Sequence, residues 1–215
     1  MKKLFVIPIE QNFIETFTDR FLSDEGIDLS RTAVVFPGKR AFLYLNRLLA
    51  GKRNGPFFPP AEMTITEFIT RITRRHFPDH VQIRKLDAVR MIHEIVKDIR
   101  PGLAGRTGPA AGFREFYPWA VKLLEFIDLM DREDIPESRL KNIKANAEIG
   151  YDVPEAVNLL LSRIIPIRRE FHERLSSAKL LTNGLIYQLA GQYLEKTLFD
   201  EFDIVCFAGL FALTG

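Results

Sequence analysis

The clearest candidate for phosphate chemistry is Gly38-Lys39, which follows a short apolar run and precedes a stretch with helical periodicity. A phosphate-binding P-loop has the pattern G-x-x-x-x-G-K-[ST], because its glycines expose backbone amides, its lysine supplies charge and its hydroxyl binds magnesium. Here Ala33 stands where the first glycine belongs, and Arg40 replaces the hydroxyl residue. The loop Pro8–Asn12 offers neither glycine nor lysine. We therefore expect no cofactor site of this class.

Few other residues of the types that perform catalysis, such as His, Cys, Asp and Glu, stand at a spacing that suits a catalytic or metal site. His76 and His80 have the spacing of a metal-binding pair, but Pro78 breaks the helix that would place both on one face. Cys206 lies in an apolar run and is interpreted as a small core residue. The acidic residues between 128 and 134 read as a charged helix end before Pro136. We expect no catalytic residue and no metal in this chain.

Positive charge is concentrated in one part of the sequence. The net charge is only +2, yet residues 31–106 hold 15 Lys and Arg against 6 Asp and Glu. Such a stretch is typical either of a surface that meets a polyanion or of a solvated basic face without a partner. The candidate nucleic-acid-binding residues are Lys39, Arg40, Arg71, Arg74 and Arg75.

Aromatic residues alternate with these cations. They are Phe36, Tyr44, Phe57 and Phe58, and further cations lie nearby at Arg47, Lys52 and Arg53. Exposed rings would stack on unpaired bases while cations neutralise phosphates. The alternative is that the rings belong to the core and the cations are merely solvated.

Two consecutive strand-helix units are predicted to position this chemistry. Leu4–Ile7 and Thr32–Phe36 read as buried strands, and helices follow them from Asn12 to about Leu22 and over Lys39–Ala50. Two such units indicate an α/β fold with a parallel sheet. Ligands of open α/β sheets bind beyond the carboxyl ends of the strands, which is where residues 37–40 should lie.

The middle of the chain is predicted to be helical. Thr64 is a plausible N-cap, and residues 101–112 are rich in Gly and Pro and read as a loop. Pro166 should kink or split the helix that contains it. The predicted helices are about Glu67–Arg75, Val81–Ile99, Phe113–Met130, Pro154–Ala178 and Asn183–Leu198.

The apolar run Ile204–Phe207 predicts a strand that returns to the sheet and pairs in parallel with one of the first two strands, buried on both faces. This divides the chain into residues 1–80, a helical insertion over 81–198, and a returning strand in 199–215. A strand so apolar with so little chain after it also leads us to expect that the chain is the front portion of a longer protein.

Composition restricts where the protein acts. No apolar run reaches the roughly 18 residues of a membrane-spanning helix, so no membrane partner is expected. A lone cysteine excludes an intramolecular disulfide and fits a reducing cytoplasm.

Four segments resemble one protein family in the right order. They are Val34–Ala41 (VVFPGKRA), Met63–Ile69 (MTITEFI), Phe113–Trp119 (FREFYPW) and Phe207–Thr214 (FAGLFALT). They are similar to the segments VVFPNRRA, TIxEFI, FxEFYxW and FAGFNALT of the AddB-like helicase-nuclease subunits. Those proteins carry a C-terminal PD-(D/E)XK nuclease domain and process broken DNA ends.

The resemblance implies a degenerate RecA-like (P-loop NTPase-like) parallel sheet with a large all-α insertion. It also implies an inactivated, helicase-like DNA-binding portion, acting in double-strand break repair and recombination, whose partners are single-stranded or broken-end DNA and an AddA-type helicase subunit. The family's nuclease carboxylates lie downstream, so no catalytic residue is transferred to this chain. Two alternatives stay open: a protein-interaction module that docks the AddA-type partner, and a domain that binds ATP weakly through a non-standard loop.

Overall fold

The computed structural model describes residues 4–24, 26–53, 55–99, 112–140 and 155–210. The chain divides into two compact units, Met1–Ile72 with Glu195–Gly215, and Thr73–Leu194. The divisions predicted from the sequence fall after residues 80 and 198. The predicted loop at 101–112 lies, apart from Gly112, outside the described residues.

The protein is a mixed α/β structure with a small parallel sheet and mostly helices. The described helices are α1 Phe13–Phe21, α2 Arg40–Lys52, α3 Ile65–His76, α4 Lys85–Ile99, α5 Phe113–Arg132, α6 Glu155–Ser177 and α7 Asn183–Tyr193. The described strands are β1 Thr32–Phe36, β2 Ala61–Thr64, β3 Val81–Gln82, β4 Leu180–Leu181 and β5 Ile204–Phe207.

In the first unit, β1 is the central strand of a sheet with the order β2-β1-β5, and both pairings are parallel. All five residues of β1 are buried. Thr32 is level with Ile204, and Phe36 is level with Thr64. The predicted parallel pairing of Ile204–Phe207 is therefore confirmed.

The burial predicted for β5 is wrong. Ile204 is 39% exposed and Phe207 is 46% exposed, because β5 lies at the edge of the described sheet. An apolar run predicts that a strand is in the sheet, but its exposure depends on how many neighbours it has.

The strand predicted at Leu4–Ile7 is also absent. Leu4–Pro8 has no strand pairing, and Leu4 and Val6 are exposed. The ring of Phe5 instead packs edge-on against Phe21 of α1, at 4.8 Å between centroids. Phe5 and Ile7 thus make apolar contacts although the segment forms no strand pairing. An apolar run in the sequence does not distinguish a paired strand from an unpaired segment.

Strand β2 is not predicted from the sequence, which indicates a loop and a helix cap at these residues. The strand has four residues and directly follows Pro59-Pro60. Four residues show too little alternation of apolar and polar side chains to indicate a strand. The prolines next to β2 are tolerated because β2 is an edge strand of the described sheet.

Helices α1 and α2 pack together in the core of the first unit. The Asn12 side chain caps α1 by accepting a hydrogen bond from the Glu15 N–H at 3.3 Å, as predicted. The buried cluster contains Phe17, Leu22, Leu29, Val34, Phe36, Phe42, Leu45, Leu49 and Ala208.

The second unit is helical, with α4 to α7 around one core and a two-stranded parallel ladder of β3 and β4. The predicted helix over Val81–Ile99 begins only at Lys85, because Val81 and Gln82 pair with β4. Helix α6 runs through Pro166 as one element, so the predicted split does not occur.

The acidic residues of α5 are more than a solvated helix end. Asp131 is fully buried and accepts hydrogen bonds from Arg168 at 2.9 and 2.7 Å, and its second oxygen lies 2.9 Å from Nε2 of His172. Asp128 Oδ1 accepts a hydrogen bond from the Gly184 N–H at 2.7 Å. These carboxylates fasten α5 to α6 and α7.

We predict that Gly184→Ala destabilises the helical unit. An added Cβ would lie 2.8 Å from Asp128 Oδ1 and 2.9 Å from its Cα, which is closer than packed atoms approach. The expected loss is about 1–3 kcal/mol, typical of overpacking. Urea unfolding followed by circular dichroism measures it.

Gly191→Ala, in the same helix, is the matched control, because a Cβ there meets nothing within 4 Å. That change should leave stability unchanged or raise it by up to about 1 kcal/mol. Equal effects at the two glycines would contradict the close contact.

Candidate nucleic-acid interface

The carboxyl ends of β1, β2 and β5 lie along one edge of the sheet, because all three strands are parallel. After β1 only residues 37–39 precede α2, and after β2 the helix α3 begins at once. Gly209, the second residue after β5, has a φ of 70°, a conformation that favours glycine. Two helix N-termini therefore open at this edge.

Lys39 and Glu67 connect these two helix starts. Lys39 Nζ lies 2.9 Å from Glu67 Oε1. The other carboxylate oxygen accepts hydrogen bonds from the Thr64 N–H at 2.8 Å and the Thr64 hydroxyl at 2.9 Å, and the Glu67 N–H donates to that hydroxyl at 3.2 Å. This is a capping box, and it confirms Thr64 as the N-cap of α3.

The hydrogen bonds from Thr64, followed by Lys39, lower the pKa of Glu67 to about 2. Glu67 is therefore a carboxylate at every physiological pH. Lys39 remains 76% exposed in this pair. An exposed ion pair contributes little stability, so the Lys39 ammonium can exchange Glu67 for a phosphate at small cost.

Arg40 is the first residue of α2 and is exposed. It makes no hydrogen bond or ion pair with another described residue. No side chain caps this helix, so its first-turn amides and the positive end of its dipole face the same strand-end loop. Lys39 and Arg40 thus place two cations beside a helix N-terminus.

Arg71 is engaged within the protein. Its Nη2 lies 2.7 Å from Glu201 Oε1, and its guanidinium lies 5.4 Å from the ring centre of Phe202. These contacts tie α3 to the chain that leads into β5. A phosphate would compete with an existing ion pair here, unlike at Arg40.

Arg74 and Arg75 lie on the last turn of α3 and are exposed. They belong to the second compact unit, whereas Lys39, Arg40 and Arg71 belong to the first. The structure therefore brings Lys39 and Arg40 to one sheet edge, while a common surface for all five cations stays a prediction.

Two other cations of the basic stretch have structural roles. Lys52 forms an ion pair with Asp19 of α1. Arg53 Nη2 donates to the carbonyl oxygens of residues 22, 24 and 27 at 3.0–3.2 Å, which fixes the turn after α1.

The aromatic residues divide between the two alternatives. Phe36 is buried and Phe57 packs against the same core, whereas Tyr44 is 62% exposed and Phe58 is 79% exposed. Only the last two rings are accessible for stacking. Composition does not separate the exposed rings from the buried ones, because Phe57 and Phe58 are adjacent in sequence and differ in exposure.

The described residues contain no cluster of three or more His, Cys, Asp or Glu side chains able to hold a metal ion. Burial raises the pKa of the Cys206 thiol, which disfavours the nucleophilic thiolate. None of the described helices combines the length and apolarity needed to cross a membrane.

Neither the comparison with protein-family models nor that with curated protein sequences gives a match to this chain.

We predict that the contribution of Glu67 to stability depends on pH. The folded-state pKa is depressed, so the contribution is fully present above the ordinary pKa of 4.5 and is lost as pH falls toward about 2. Glu67→Gln should be less stable than the parent at pH 7, by less than about 1 kcal/mol because the group is exposed, and the two should converge in acid.

Thermal unfolding across this pH range provides the measurement, and Glu115→Gln in the first turn of α5 is the control. A stability difference for Glu67→Gln that stays constant down to pH 2 would contradict the ionic role of Glu67.

We predict that the chain does not bind ATP-Mg tightly. The three residues between β1 and α2 are too few for the cradle of a P-loop, and Ala33 lies inside β1 itself. Isothermal titration calorimetry should show no saturable binding. A dissociation constant near about 1 μM, which corresponds to about −8 kcal/mol, would contradict this and favour a non-standard ATP site.

Proposed function

We propose that this chain is the inactivated, helicase-like N-terminal portion of an AddB-type nuclease subunit and that it binds single-stranded DNA at the carboxyl edge of its sheet. The parent protein would be cytoplasmic and process DNA ends in recombinational repair. The observation that carries the proposal is the strand-end loop, where Lys39 and Arg40 lie beside the uncapped N-terminus of α2. Anions bind favourably at such a position.

The order of elements supports the helicase-like part of this proposal. A RecA-like sheet interrupted by a helical insertion requires that a distant segment return to pair with an early strand. Here β5 pairs with β1 although the helices of Thr73–Leu194 lie between β2 and β5 in sequence. The four segments that resemble the AddB-like family include the end of β1, the start of α3 and the end of β5.

The chemistry of the edge supports binding rather than catalysis. Two cations beside the N-terminus of α2, which no side chain caps, attract a phosphate backbone without reading its sequence. The described residues near the edge offer Glu67 as their carboxylate, and it is committed to the capping box and to Lys39. No metal ligand set is present among the described residues that would supply hydrolysis.

One observation favours the second candidate, a module that docks an AddA-type partner. Trp119, Phe126 and Leu129 lie along one side of α5 and are 36%, 38% and 50% exposed. Large exposed apolar side chains in a row are typical of protein contacts. This role would be independent of DNA and of salt, so co-purification with the partner at high salt tests it separately.

DNA binding is tested with a labelled oligothymidylate by fluorescence anisotropy over a range of salt concentrations. We predict that Lys39→Gln/Arg40→Gln weakens binding and makes the slope of log affinity against log salt shallower by about 1.4, since each phosphate contact contributes about 0.7. Glutamine is preferred to glutamate because a carboxylate at position 39 would face Glu67.

Arg114→Gln/Arg139→Gln is the matched control, because both arginines are exposed and lie in the second unit. It removes the same charge and should change the slope little. Equal losses in the two double variants would leave only nonspecific attraction, and undetectable binding of the parent at low salt would favour the interaction module. Thermal unfolding should be nearly unchanged in both variants.

A further inference from the structure

Helix α2 contains no acidic residue. Its sequence from Arg40 to Lys52 is RAFLYLNRLLAGK, with three cations and no Asp or Glu. Helices α4, α5 and α6 each pair cations with carboxylates of the same helix, as α4 does in Arg90 with Glu94 at 3.0 Å. Helix α2 therefore presents an unusual surface.

The exposed side chains of α2 share one face. Arg40, Leu43, Tyr44 and Arg47 are spaced at i, i+3, i+4 and i+7, which places them along one side of a helix, and all four are exposed. Leu43 is 74% exposed and Tyr44 is 62% exposed. The opposite side is buried through Phe42, Leu45 and Leu49. We call the exposed set the α2 outer face.

The two arginines of this face are available to a ligand. Neither Arg40 nor Arg47 makes a hydrogen bond or ion pair with another residue in the described part of the chain. Lys39, Lys52 and Arg71, by contrast, all have carboxylate partners. The α2 outer face thus combines unneutralised cations with an exposed ring and begins at the strand-end loop.

We propose that the α2 outer face binds single-stranded DNA, with an unpaired base stacked on Tyr44 and the flanking phosphates on Arg40 and Arg47. Charge complementarity selects this occupant, because an acid-free face with two unpaired arginines fits a polyanion better than a protein of mixed charge. An unpaired base is required because only a single strand exposes its ring face to Tyr44.

The dimensions agree with such a ligand. Seven residues separate Arg40 from Arg47, or about 10 Å along the helix, and at about 3.4 Å per stacked nucleotide this spans about three nucleotides. The strand would continue from the strand-end loop onto α2. This inference rests on the proposed DNA binding but assigns recognition of the base to residues outside that loop.

The test compares oligothymidylate with an abasic strand of equal length and charge. The parent chain should prefer the thymidylate by at least about fivefold, the lower limit for one stacked base. Tyr44→Leu keeps an apolar side chain but removes the ring, so it should abolish this preference. Tyr44→Phe keeps the ring and should retain the preference. Tyr117→Leu, on α5 of the second unit, is the control and should keep the preference.

Arg47→Gln should weaken binding of both strands equally and make the salt slope shallower by about 0.7, as expected for one lost phosphate contact. This variant and Tyr44→Phe keep the inference testable if Tyr44→Leu fails to fold. Circular dichroism of each variant establishes whether it is folded.

The outcomes separate this inference from the proposed function. If Tyr44→Leu keeps the full preference and Arg47→Gln leaves the salt slope unchanged, while Lys39→Gln/Arg40→Gln weakens binding, the strand-end site stands and the α2 outer face is excluded. If the parent binds neither strand, both are wrong. If the parent self-associates in sedimentation velocity, and Tyr44→Leu abolishes this without changing DNA binding, the face contacts a second copy and the inference is overturned.

Discussion

The buried backbone of β1 requires hydrogen-bond partners on both of its edges, and the first unit is organised around this requirement. Unpaired backbone groups inside a protein cost free energy, so a strand with five buried residues cannot stand alone. One edge is satisfied by β2, which follows soon in sequence. The other is satisfied by β5, where Arg31 and Asp203 meet across a sequence separation of 172 residues.

Contacts at the start of β5 secure this distant pairing. The Asp203 N–H donates to the Arg31 carbonyl oxygen at 2.8 Å, and the Arg31 guanidinium binds both carboxylate oxygens of Asp203 at 2.7 and 2.8 Å. This hydrogen bonding keeps the pKa of Asp203 below its usual value. Once the register is set, the ends of all three strands are fixed at one edge, and so is the loop that carries Lys39 and Arg40.

The cations of the basic stretch fall into two groups, those with a hydrogen-bond or ion-pair partner in the protein and those without one among the described residues. Lys52, Arg53 and Arg71 hold elements of the first unit together through carboxylates or carbonyl oxygens, and Lys39 forms an exposed ion pair with Glu67. Arg40 and Arg47 have no such role among the described contacts. In the second unit, Asp131 is fully enclosed and is matched by Arg168 and His172, since a buried carboxylate without partners would be costly.

The sequence by itself determined most of the helices, the caps at Asn12 and Thr64, the central strand Thr32–Phe36 and the return of Ile204–Phe207 to it. These features depend on periodicity, on turn chemistry and on apolar runs, all of which are local. It also determined that the loop after β1 lacks the residues of a P-loop.

Only the tertiary structure decided that Leu4–Ile7 packs without pairing, that Ala61–Thr64 is a strand, and that Asp131 is buried. It likewise decided which cations and rings are free, because the carboxylates that neutralise Lys39, Lys52 and Arg71 come from residues 28, 33 and 130 positions away in sequence. Ion pairing and exposure depend on which distant segments meet, and no local pattern records that.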